Sequence, residues 1–146
     1  MPTFDSTKKR LEGLLQEIAD GKIQLPDFQR GWVWDDEHIS SLLTSIGRAF
    51  PIGAIMLLEN GGEAKFKVRA VEGVDLAKAT PNKAEKLILD GQQRLTALTQ
   101  VLMTSNPVQT RDEKKREVKR YYYIDIEKAM EEPDSLQDAI FGVSED

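Results

Sequence analysis

Apolar positions recur at Leu11, Leu14, Leu15 and Ile18, the spacing of one helix face, and predict an amphipathic helix capped by Ser6 and stopped by Gly21. Ile23-Gln24-Leu25 reads as a short strand closed by Pro26. The segment 27–34 that follows is rich in turn formers, carries two tryptophans and has no clean period. Asp35 or Asp36 is placed to cap a second helix whose apolar face is Ile39, Leu42, Leu43, Ile46 and Phe50. Beyond Pro51-Ile52-Gly53, the nearly continuous run Ala54-Ile55-Met56-Leu57-Leu58 predicts a strand buried on both faces, and Asn60-Gly61-Gly62 a turn. Phe66, Val68 and Ala70 alternate with Lys65, Lys67 and Arg69, which predicts a strand with one wet face. Residues 75–86 show little period and read as a surface excursion. Leu87-Ile88-Leu89 predicts a second buried strand, ended by Asp90. A third helix then carries Leu95, Leu98 and Leu102 on one face to about Ser105, and Tyr121 to Ile126 form the last clear strand. With no repeat, low-complexity tract or interior linker, residues 1–146 read as one α+β domain.

Composition narrows the chemistry. A chain of 146 residues, 40% hydrophobic and 31% charged, is long enough to bury a core. The absence of cysteine excludes disulfides, thiolate zinc and a cysteine nucleophile, and a single histidine, His38, at the start of a helix, excludes a histidine-rich metal site. A net charge of −5 argues against unspecific DNA binding by the domain, while leaving room for a local basic patch. Six basic and three acidic residues between Arg111 and Arg120 fit either nucleic-acid contact or a solvated face. No apolar run approaches the ~18 residues a membrane span requires, and Met1 to Asp5 lack the order of a signal peptide, so a cytoplasmic protein is expected. The apolar positions Leu136, Ala139 and Ile140 close to the last residue suggest a polypeptide that continues; oligomeric state is left open.

The most informative segment runs from Leu87 to Leu98, where a strand passes directly into a helix through Asp90-Gly91. Peptide N–H groups opening a helix lack internal partners and sit at the positive end of its dipole, an arrangement suited to phosphate. Gly91 has no Cβ to hold a ligand off, Gln92 and Gln93 offer amides, and Arg94 a fixed cation. The plainer reading has Asp90 capping the helix, Arg94 paired with a surface carboxylate and both glutamines solvated. A second cluster places Gln29 and Arg30 among Phe28, Trp32 and Trp34, which either stack on a base or hold the turn to the core. Arg69 and Glu72 are further candidates for lining a cleft.

Taken in order, Leu25 to Trp34 with its Phe28-Gln29-Arg30, Pro51-Ile52-Gly53, and Ile88 to Thr96 with its Asp90-Gly91-Gln92-Gln93-Arg94 resemble the GmrSD-type N-terminal domains of bacterial restriction and phage-defence proteins, over roughly residues 22–102. The resemblance implies a ParB/sulfiredoxin-like fold, a small mixed sheet flanked by helices, with nucleotide binding and often NTP hydrolysis. Relatives carry a downstream HNH-type nuclease domain that this chain lacks and through which DNA would be reached. In that superfamily a Gly-x-x-Arg turn grips nucleotide phosphates, and Gly91 to Arg94 stand at it. Sulfiredoxin's cysteine is replaced by Gln92, which removes sulfinic-acid reduction, and Gln92-Gln93 depart from the charged residues of ParB, so CTP preference does not carry over. The expected function is therefore an NTP-binding and NTP-hydrolysing domain coupled to DNA cleavage. Asp90, Gln92, Gln93 and Arg94 are the expected catalytic group, with Gln29, Arg30, Gly91 and Arg94 binding nucleotide and Asp90 holding Mg²⁺. The alternatives are a non-catalytic module reading DNA or a modified base through Trp32, Trp34, Gln29 and Arg30, and a regulatory scaffold without turnover.

Overall fold

The computed structural model describes residues 6–32, 34–61, 66–132 and 134–145. Helix α1 (Leu11–Ala19) buries Leu14, Leu15 and Ile18, as its spacing requires; its N-cap is Arg10 rather than Ser6, and no side chain caps it. Strand β1 (Ile23–Pro26) follows, buried along its whole length. Asp35 caps α2 (Asp36–Gly47) by accepting the His38 N–H at 3.0 Å. Ile39 and Leu42 of α2 enter the core, but the helix has ended before Phe50, which is 56% exposed.

Strands β1, β2 (Met56–Glu59), β3 (Val68–Arg69) and β4 (Lys86–Asp90) form a mixed sheet in the order β2-β4-β1-β3. β1 and β4 run parallel at its centre, where Leu25, Leu87 and Ile88 are fully buried, and β2 and β3 are antiparallel edges. The expectation that residues 54–58 are buried on both faces is corrected: β2 is an edge strand, and Met56 is 49% exposed. Its inward positions, Ile55 just before it and Leu57 within it, pack on the core. The excursion at 75–86 is also less superficial than expected. Ala79 and Ala84 are buried, and the buried Gln24 amide in β1 donates to Gly21 O at 2.9 Å and Thr80 O at 2.8 Å. Of the residues read as turn and alternating strand, Gly62 and Lys65 lie outside the described ones.

Helix α3 (Gln92–Met103) packs against α1 and buries Leu95 and Leu98; Leu102, assigned to the same face, is 52% exposed. A second, antiparallel sheet, β5-β6-β7, follows from β5 (Val108–Arg111), β6 (Glu117–Ile124) and β7 (Ile140–Ser144). Between β6 and β7 lie α4 (Ile126–Glu131) and α5 (Leu136–Ala139), so Leu136, Ala139 and Ile140 belong to elements that pack on α2 and β6. The start of α2 fastens this sheet. Asp36 accepts from Arg120 at 3.0 Å and from the Tyr122 hydroxyl at 2.6 Å, and burial together with that bond pushes the Tyr122 hydroxyl far above its ordinary range. Two sheets with helices packed on them make the α+β architecture that the sequence predicts.

Candidate functional site

The candidate site lies where β4 becomes α3. Gly91 is the N-cap and stands at φ +89°, a left-handed conformation that side chains disfavour, and no side chain caps the helix. Asp90 thus ends β4 as an exposed carboxylate rather than a cap. The first bond of the helix ladder runs from Leu95 N to Gly91 O at 3.0 Å, which leaves the preceding amides outside that ladder. The space a Cβ on Gly91 would need is filled by the Ile55 side chain, with Arg94 Nη2 3.4 Å away. Glycine here admits the protein's own packing, where the sequence had suggested room for a ligand.

The three side chains after Gly91 act as a clamp. Gln92 and Gln93, each 7% exposed, donate their amides to Arg30 O and, at 3.1 Å, to Gly31 O. Arg94 donates through Nη1 to Ile52 O and through Nη2 to Ala54 O at 3.0 Å. Gly53 lies between those carbonyls at φ +95°, and a Cβ there would strike Arg94. The glutamines are not solvated, and the arginine takes carbonyls instead of a carboxylate. One five-residue segment therefore holds both of the chain's other signature segments.

The loop carrying Gln29 and Arg30 is fixed from every side. β1 pairs with β4 only at Lys86 and Leu87; past that point the Gln29 amide donates to Leu89 O at 3.0 Å and Ile88 O at 3.3 Å. Arg69 Nη2 donates to Gln29 O at 2.8 Å and Arg30 O at 3.1 Å, and Nη1 lies 3.6 Å from Glu72. Glu72 accepts the Trp32 N–H at 2.8 Å, and the Trp32 indole N–H donates to Gln109 O. The carbonyls of 29, 30 and 31 are all occupied from inside, whereas the Arg30 side chain is exposed, with no ion pair or hydrogen bond among the described residues. Sequence reasoning named Arg69 and Glu72 only as cleft candidates and missed their work on this loop. Their partners lie about 40 residues away, and no local pattern signals them.

The aromatic candidates divide. Trp32 and Trp34 pack partly against the core with ring centroids 6.3 Å apart, while Phe28 is 68% exposed and meets Phe66 edge-on at 5.8 Å. His38 extends the Trp34 stack at 5.3 Å, and its Nδ1 lies 2.6 Å from Asp35. The His38 backbone N–H, chiefly, holds the Asp35 carboxyl down at about 2. Among the described residues no three carboxylates or histidines gather as a metal cage, and Asp90 alone would give Mg²⁺ a single protein ligand. Nor is any helix of the described chain long and apolar enough to cross a membrane.

Comparison with known proteins places this geometry. The chain is 32% identical over 145 residues to an uncharacterized protein of Methanocaldococcus jannaschii, and the match covers 94% of this chain but 23% of that protein. The chain thus spans about a quarter of the length of the curated relative it matches. The model of the GmrSD restriction endonuclease N-terminal domain matches residues 11–142, from the first turn of α1 into β7 and across both clamped segments. The chain belongs to the family of GmrSD restriction endonuclease N-terminal domains.

Proposed function

We propose that this domain binds a nucleoside triphosphate at the start of α3 and serves, in a restriction or phage-defence protein, to couple nucleotide state to DNA cleavage by a nuclease domain elsewhere in the full polypeptide. One observation carries the reading: Arg30, its side chain exposed and without a partner among the described residues, stands in a loop that Gln92 and Gln93 tie to a helix start whose first amides lie outside the helix ladder. These bonds fix the loop's backbone, so only the Arg30 side chain has to be ordered at the moment of binding. Arg30 would meet phosphate oxygens directly, and Arg94 would add positive charge beside Gly91 while it holds residues 52–54. Gln92 and Gln93 are better suited to positioning Arg30 than to orienting water through their bound amides. Asp90, exposed at the end of β4 and adjacent to Gly91, is the group assigned to activating water in hydrolysis. A Mg²⁺ ion here would take most of its ligands from the triphosphate and water, and would neutralise charge on the phosphates.

The test is phosphate release from each common NTP by the full chain, beside Arg30→Ala and Asp90→Asn. Turnover lost in both supports the reading; turnover unchanged in Arg30→Ala rejects the site. The alternative reading, a module that recognises DNA or a modified base, draws support from the exposed Phe28 two residues before Arg30. It predicts duplex binding that falls steeply with salt and is indifferent to added NTP.

A further inference from the structure

The loop that presents Arg30 also forms one wall of a second feature. Behind it, between Trp32 and Trp34 on one side and β5 and β6 on the other, lies a half-open cleft of about 530 Å³, within the size range of small-ligand sites. Its lining includes Glu72, Gln109, Arg111 and Lys119. From this lining we infer that the cleft is a nucleobase compartment, taking a planar heterocycle against Trp32 while the phosphates of the same ligand extend to Arg30.

Charge decides against polyphosphate inside the cleft. Glu72, Glu117 and Glu145 face Arg111 and Lys119 there, and Lys119 is already drawn to Glu145 at 3.8 Å. An uncharged ring bearing N–H donors suits the same wall. The indoles supply stacking surface, worth a sequence-tolerant gain for any base. Glu72 uses Oε1 for the Trp32 N–H and for its contact with Arg69, and its second oxygen is left to accept from a base. Gln109 and Thr110 add polar groups at the edge. Trp32 is also fixed at both ends, by Glu72 and by Gln109 O, so the stacking surface is preformed. Chain proximity keeps the two ends within reach of one ligand: Trp32 and Arg30 are two residues apart, a Cα separation of at most about 7 Å. This inference rests on the nucleotide reading for the phosphate end, while the cleft stands on its own lining.

The chain has two tryptophans, and both line this cleft, so tryptophan emission reports on it directly. Emission excited at the red edge of the indole band is followed while the full chain is titrated with each NTP, with inorganic tripolyphosphate, and with a short single-stranded DNA oligonucleotide. The expected result is saturable quenching by NTP and none by tripolyphosphate, which instead competes and raises the NTP concentration needed. Trp32→Leu weakens NTP about tenfold and leaves tripolyphosphate unchanged. Glu72→Gln, which keeps an acceptor for the Trp32 N–H, also weakens NTP and guards against a folding defect in the first variant. Quenching by the oligonucleotide but not by NTP upholds the cleft, names DNA as the source of the base and removes the nucleotide reading. NTP that raises the melting temperature without altering emission overturns the cleft and leaves the phosphate site standing. Emission untouched by NTP and oligonucleotide alike also overturns it.

Discussion

Replacing Arg94 by alanine separates clamping from ligand contact. Arg94 supplies two charge-assisted bonds, to Ile52 O and Ala54 O, and no other described side chain donates to either carbonyl. Such bonds are worth about 1.5–3 kcal/mol each, more where water cannot replace the donor. Here the first is partly buried and the second is at the surface, so the lower end applies to each. The expected loss in Arg94→Ala is about 3 kcal/mol. For a domain of this size that corresponds to about a 10 °C fall in Tm. Arg94→Lys keeps the charge but has one point of donation where the guanidinium has a fork, and should lose about half as much. Urea denaturation followed by circular dichroism, with melting curves alongside, measures both variants without any nucleotide. An Arg94→Ala protein that melts within about 2 °C of wild type would refute the clamp, because two unreplaced charge-assisted bonds cannot vanish so quietly.

Other consequences follow from the same geometry. Gly91→Ala forces a side chain into a left-handed backbone and against Ile55, costing about 1–2 kcal/mol for the backbone and about 1–3 for the overpacking; the same substitution made over Ile55→Ala should cost less, and equal costs in a double-mutant cycle would contradict the packing. Asp36→Ala leaves Arg120 and the Tyr122 hydroxyl without their acceptor and should lower unfolding free energy by about 2 kcal/mol, read by urea titration. Asp35 has its carboxyl depressed in the folded state to about 2, so its contribution is full above the ordinary carboxylate value of 3.8 and disappears as pH falls from there towards 2; Asp35→Asn should flatten the pH dependence of stability in that window alone.

Elements with a local signal were legible in the sequence, and those decided by distant partners were not. The 3.6-residue spacing of Leu14, Leu15 and Ile18 and the apolar pair Leu87-Ile88 state their burial directly, whereas Leu89, at the end of the same run, is only half-buried. Residues 54–58 misled because an apolar run reads alike in a central and an edge strand; only the pairing of β2 with β4 alone decides which it is. β7 escaped notice because Phe141-Gly142-Val143 is short, glycine-broken and made a strand by pairing with β6 some 20 residues earlier. At the site, Asp90-Gly91 marked the strand-to-helix turn correctly, since the turn's conformation is written in the glycine. What Gln92, Gln93 and Arg94 do with their donors was not written there, because the carbonyls they seek lie about 40 to 60 residues away along the chain. The turn was visible, and its role as the fastening of two other loops was not.

Calorimetric titration of each NTP into the intact chain and into Arg30→Ala probes the phosphate site without requiring turnover. The Arg30 side chain makes no ion pair or hydrogen bond among the described residues, and its backbone carbonyl, held by Gln92 and Arg69, is kept in the variant, so Arg30→Ala should melt as wild type does while saturable heat with NTP disappears. Saturable binding that survives undiminished in a normally folded Arg30→Ala, or no binding of any NTP to the wild-type chain, would contradict the placement of triphosphate at the start of α3.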